Sequence, residues 1–385
     1  MHRLARLAGT VGMALALAVA GSITGAHAAA AGAAVVGHVY VNDNAAGTNT
    51  VAGFNRHADG TLTALPGSPF KAGGAGTGTI IGTQGALQLS SDGQYLFAVD
   101  AGSSQISVLR IGSDGSLREV QGSLISSGGN EPISIAVHGN LVYVANTGAG
   151  GADYTGFTFN TSGHLTPLAG STFSLSDTEG PGDVLFNANG TRLVGTRVNT
   201  SLIDSFVVGS DGRLTAAPGS PFAAQAFGPF GSAFRPTNPA QLFVSNAHAG
   251  AGKGSVSAYH VAADGTLNSS DGSPYADHQT APCWVDITPN GQYLFAVNTG
   301  STTISRYAIA KNGTLTLLGS TSFSSGLGIR PFDLRVAPDG NDAYVVDAQL
   351  KAVTAFAVSG GNLTELSPSP FALPRGATPF GIVVD

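Results

Sequence analysis

Charge and cysteine are what this sequence has least of. Asp, Glu, Lys and Arg make up 10 % of its 385 residues, against about a quarter in an average domain. The net charge is −6 and no basic stripe is present, which argues against nucleic acid or an anionic membrane surface as partner. Cys283 is the one cysteine, so no intrachain disulfide can form and stability must come from a sizeable core. Cys283 lies between Pro282 and Trp284 at the start of an apolar segment, a setting for a buried, inert thiol with the indole packed beside it. No G-x-S-x-G elbow, H-E-x-x-H pair, Walker loop or Cys/His cluster occurs, so nothing calls for a cofactor or a metal. The apolar run Val11–Ala20 is too short to span a bilayer. With Arg3 and Arg6 before it and "AHA" at Ala26–Ala28 after it, residues 1–28 read as a cleaved signal peptide. The sequence therefore predicts a secreted, monomeric protein without membrane insertion.

What the chain does have is glycine, 55 of them, and a phrase that returns. "DGTLTALPGSPF" from Asp59 reappears from Asp211 as "DGRLTAAPGSPF", changed only at Arg213 and Ala217. Gly-x-Leu follows a turn at Gly60, Gly115, Gly163, Gly212, Gly265, Gly313 and Gly361, at steps of 48 to 55 residues. A second marker keeps the same step: β-type runs that end in Asp43, Asp100, Asn146, Arg197, Asn246, Asn298 and Asp347. Within one repeat, "WVDITP", "QYLFAVN", "TTISRYAIA" and "TLTLLGS" read as four strands separated by Asn-Gly-type turns, whose central residues suit positive φ. Four antiparallel strands per repeat, seven times over, describe a β-propeller.

The ends complement each other. The mature chain enters at a second-strand position, "VGHVYVND", and finishes on a first strand, "PFGIVVD". Pairing Gly381–Asp385 beside Val36–Asp43 would close the ring and remove its free edges. We therefore expect an all-β, seven-bladed propeller as a single domain over residues 36–385, behind a short flexible segment at 29–35.

The phrases "PCWVDITPNGQYLFAVN" and "PFDLRVAPDGNDAYVVD", with the GSPF tail, resemble the seven-bladed lactonase propellers. That family includes bacterial 6-phosphogluconolactonases, carboxymuconate-lactonizing enzymes and YVTN-repeat surface proteins. The resemblance implies a lactonase-like hydrolase of a small sugar- or aldonate-type lactone. It also implies a catalytic motif of the type G-P-R-H-x-x-F followed by a strand ending in N-E. The matching stretch is "GPGDVLFNANGTRLVGTRV" from Gly180 to Val198. Gly182, Asp183 and Val198 stand where that motif has Arg, His and Glu.

In a propeller, inner-strand entries and second-strand ends open on one pole of the central channel. The entries here are Ala86, Ser134, Asp183, Gly231, Trp284, Asp333 and Gly381. Asp183 and Asp333 are the candidate bases for attack on an ester carbonyl, Arg197 or Arg330 the oxyanion partner, and His278 a proton shuttle. Glu131, Glu179, Asp100, Asp347 and Arg375 complete the same mouth as candidate ligand-binding residues. Asp and Asn at strand ends also cap local N–H groups, so a solvated, non-catalytic mouth is the competing reading. On that reading the propeller binds a glycan, a cell-surface component or a protein.

Overall fold

Tyr40, Tyr95, Tyr143 and Tyr344 occupy the second strands of four repeats. Each donates its hydroxyl to a carbonyl in a turn of the next repeat: Gly115, Thr161, Gly212 and Gly60. The last of these links the seventh repeat to the first across 284 residues, so the repeats form a ring. The computed structural model describes residues 32–385 apart from Asp177 and Leu327. The expected signal peptide lies outside them. Among the described residues, Ala34–Asp385 form one unit of seven antiparallel sheets and a single 3₁₀ turn.

Each sheet is a blade. Its inner strand lies at the channel: Ile382–Val384 in blade 1, then Leu87–Leu89, Pro132–His138, Pro181–Phe186, Pro229–Arg235, Pro282–Ile287 and Pro331–Val336 in blades 2 to 7. Closure follows the sequence expectation. Val39, Tyr40 and Val41 pair antiparallel with Val384, Val383 and Ile382, so the first blade draws its inner strand from the chain end and exposes no ladder there.

The repeated phrase serves the rim of each blade. Its Asp-Gly turn sits between the third and fourth strands, and its Ser hydroxyl accepts the N–H of a third-strand residue. Ser68 does so from Gly53, Ser220 from Ser205, Ser273 from Ala258 and Ser369 from Ala355, at 2.8 to 3.0 Å. The aromatic that follows returns to pair with the same strand, as Phe70 does with Val51 and Phe222 with Ile203. Blade 6 differs because Leu315–Ser322 runs as one unbroken outer strand.

Between blades the packing is apolar. Trp284 stacks on Phe332 at 4.6 Å and meets Phe230 edge-on at 5.2 Å, so three adjacent inner strands share one aromatic contact. Cys283 is buried beside it, and burial pushes its thiol up to about 12.

Candidate functional site in the axial channel

The channel is not open at the pole where the inner strands begin. The segment Thr83–Gly85, just before the inner strand of blade 2, crosses the axis and bonds to four other blades. Thr83 Oγ1 donates to Ile133 O at 3.0 Å, and its carbonyl accepts the Trp284 indole N–H at 2.8 Å. Gln84 bonds Gly182 O through its backbone N–H at 3.1 Å. Its side-chain Nε2 reaches Ser232 O at 2.7 Å, and its Oε1 accepts from Val285 N at 3.0 Å. Gly85 adopts φ 87°, and a Cβ there would lie 2.8 Å from Ser134 Oγ; only glycine fits this crossing.

Asp183 and Asp333 both sit under this plug. Asp183 Oδ2 accepts Ser232 N at 2.9 Å and Ser232 Oγ at 2.6 Å, while Oδ1 accepts Ser134 Oγ at 3.2 Å. Burial lifts its pKa to about 7, against the lowering effect of the Ser232 bonds. Asp333 is fully buried, with Oδ1 on Leu334 N at 2.9 Å and on Arg335 Nη1 at 2.7 Å. Burial raises it to about 6, and Arg335 opposes the shift. With 2 % and 0 % of their surface accessible, neither carboxylate can meet a substrate directly.

The expected cationic partners are elsewhere. Arg197 forms a fork on Asp204, Nε to Oδ2 at 2.6 Å and Nη2 to Oδ1 at 2.5 Å, with Glu179 at 3.4 Å. The Tyr154 hydroxyl completes that cluster on Asp204. Arg197 is thus held inside blade 4 by a carboxylate seven residues away, across the hairpin. Arg330 is exposed and lies over the Phe332 ring at 5.3 Å. His278 and Arg375 are exposed and Glu131 is half-buried. Asp100 is buried between Asn49 and Ser107, and burial raises it to about 6. Asp347 Oδ1 accepts the N–H groups of Arg330, Gln349 and Leu350, so it caps the loops around it. Hydrogen bonds and ion pairs bring together Arg197 with Glu179, and Arg330 with Asp347, but join neither arginine to Asp183 or Asp333.

The cation beside those two carboxylates is Arg335. Burial lowers its pKa, but Asp333, Asp286 and Asp183 outweigh that and hold it above its ordinary value. Its side chain stays 17 % exposed because it lines a cavity of about 300 Å³ at the opposite pole, where the inner strands end. Asp286, Gln84, Gln88 and Ser232 share that lining with Leu185, Phe186, Ala233, Phe234 and Pro236. Asp286 is half-buried, with Oδ1 on Ile287 N at 2.9 Å and Oδ2 on Val336 N at 2.8 Å. Burial raises its pKa, and Arg335 works against that rise. The hydrogen bonds of Arg335 run through Nη1, to Asp333 and to Leu334 O. Nε and Nη2 have no hydrogen-bond partner among the described residues.

Both missed residues carried a sequence signal. Gln88, Leu185, Ala233, Asp286 and Arg335 each lie two places after the entries Ala86, Asp183, Gly231, Trp284 and Asp333, and a strand repeats its facing every second residue. Following the inner strands inward by one period finds the cavity wall.

The chain matches the seven-bladed β-propeller lactonase family over residues 38–186 and 233–379. It belongs to that family. Among solved structures it is similar to a candidate 6-phosphogluconolactonase of Bacteroides uniformis, with TM-score 0.72 and 20 % identity over 91 % of this chain and 100 % of that one. It is also similar to a periplasmic gluconolactonase of Pseudomonas aeruginosa, with TM-score 0.70 and 15 % identity over 90 % and 98 %. At such identity these two establish the fold alone. No curated protein matches the chain in sequence. This lactonase-family propeller departs from the resemblance's catalytic motif in space as well as in sequence. A Cβ on Gly182 would lie 2.7 Å from Val198 Cγ2, so at Gly182 the motif's arginine has been replaced by close packing against the residue at its glutamate position. Among the described residues no group of three His, Cys, Asp or Glu side chains is arranged to hold a metal ion.

Proposed function

We propose that this propeller is an exported hydrolase of a small sugar-type lactone and that ring opening takes place in the cavity at the strand-exit pole. The observation that supports this is the shared wall of Asp286 and Arg335. Lactone hydrolysis needs a base to take a proton from water and a positive donor for the oxygen that becomes negative as the carbonyl turns tetrahedral. Asp286, its pKa raised by burial, is the base. The free N–H groups of Arg335 are the oxyanion donors, with Asp333 holding the guanidinium in place. Asp183 acts at one remove, fixing Ser232 beside the cavity. The signal-like residues 1–28 support export. The solved neighbours named for gluconolactone and its 6-phosphate support the reaction class.

A second reading has its own support. The plug at Thr83–Gly85 and the packing of Gly182 on Val198 close the pole where the motif's catalytic residues would stand, as in a propeller kept only for binding. One assay separates the two. Purified chain lacking residues 1–28 is tested on D-glucono-1,5-lactone by pH-stat against the spontaneous rate, beside Asp286→Asn and Arg335→Gln. Catalysis predicts a loss of about a hundredfold or more in each variant. Wild-type turnover no faster than buffer would remove the enzyme reading, and turnover equal to that of Asp286→Asn would remove Asp286 as its base.

A further inference from the structure

Among the residues lining the 300 Å³ cavity, Arg335 is the single cation. It is shared by Asp333, Asp286 and Asp183, and its Nη1 is already bonded to the first of these at 2.7 Å. Even with Asp183 protonated, as its pKa of about 7 allows, two ionised carboxylates, Asp333 and Asp286, face the one guanidinium. The rest of the wall is amide, hydroxyl and apolar: Gln88 and Ser232 beside Leu185, Phe186 and Phe234. A phosphate monoester brings about two further negative charges. Here it would find no unpaired cation and would lose its hydration shell in front of carboxylates, which is strongly unfavourable. A neutral ring carrying hydroxyls suits the wall better. Its C–H faces can lie on the Phe186 and Phe234 side, and its hydroxyls can bond to Gln88 and Asp286. The volume is at the lower end of small-molecule pockets, enough for one sugar-sized ring and not for a chain of them.

We infer that the cavity is built for a neutral, unphosphorylated monosaccharide-sized polyol ring and discriminates against its phosphate ester by charge. This rests on the reading of the strand-exit cavity as the ligand site. It adds which member of the substrate class enters.

Binding tests it separately from turnover. Isothermal titration of the wild-type chain uses 1,5-anhydro-D-glucitol, which cannot be hydrolysed, and its 6-phosphate. The neutral ring is expected to bind, and the phosphate to bind at least about tenfold more weakly. Ala188→Lys, which sets a cation on an exposed position of the cavity lining, should narrow that gap by strengthening binding of the phosphate. Binding of the neutral ring without lactone turnover would defeat the hydrolase reading and leave the charge discrimination standing. Absence of neutral-ring binding, or a phosphate ester bound as tightly as the neutral ring, would overturn the inference.

Discussion

Arg335 Nη1 lies 2.7 Å from Asp333 Oδ1, two residues away on the same inner strand. Because adjacent odd positions of a strand share a facing, one blade supplies both an acid and its counter-ion to the channel. Asp286 joins them from the neighbouring blade. Removing the cation leaves buried carboxylates uncompensated, a change that typically costs about 3–5 kcal/mol. Arg335→Leu should therefore lower stability by that order in urea denaturation at pH 7. The deficit should shrink as pH falls, because the stranded carboxylates can then take up protons. A deficit that stays constant from pH 7 to pH 5 would mean that the guanidinium does not compensate these acids.

Asp183 titrates in the same sense. Its folded pKa, about 7, is above the ordinary carboxylate value, so the native state binds protons more tightly than the unfolded chain. Stability is then fully present below the unfolded pKa and declines as pH rises through about 7. Asp183→Asn removes the titrating group. Its thermal midpoint should depend less on pH between 4.5 and 7.5 than that of the wild type, measured by calorimetry. An unchanged slope would assign the pH dependence to other groups, such as Asp43, which burial also raises to about 7.

How far the sequence carried can be judged residue by residue. The ring and its closure were legible because propeller repeats are written into turns and strand alternation, and Val383 meets Tyr40 as the terminal phrases imply. The plug was not legible. Nothing in "GTQGA" distinguishes a loop that skirts the channel from one that crosses it, because its partners are carbonyls and N–H groups on four other blades. The partner of Arg197 was not legible for a related reason. Asp204, which holds it, lies seven places on, and in other blades that relation joins residues without a cation, such as Asn298 with Ser305 and Asn146 with Asp153. Asp286 and Arg335 were readable one period beyond the strand entries.

The Arg197 cluster separates stability from activity. The Arg197 side chain is 10 % exposed, and that of Asp204 is buried completely. Arg197→Met would strand a buried carboxylate, at a cost of about 3–5 kcal/mol, whereas lactone turnover per folded molecule should be unchanged because the cluster lies outside the cavity lining. A variant that is stable but inactive would return Arg197 to the catalytic set in which the sequence reading placed it.

The ring closure can be opened at its seam. Ile382, Val383 and Val384 are all buried and supply the inner strand of blade 1. Burial of each such side chain is worth about 1.5–3 kcal/mol. Deleting residues 381–385 also uncovers the ladder edge of Val39–Val41, which invites pairing between molecules. The truncated chain should lose several kcal/mol in urea denaturation and form concentration-dependent oligomers by light scattering. A peptide of the deleted sequence, added in excess, should reverse that assembly, since it can bind only where the inner strand is missing. If the truncated chain showed the same light scattering and stability as the full one, the terminal strand would be an ornament on a ring held together by its other contacts, Tyr344 to Gly60 chief among them.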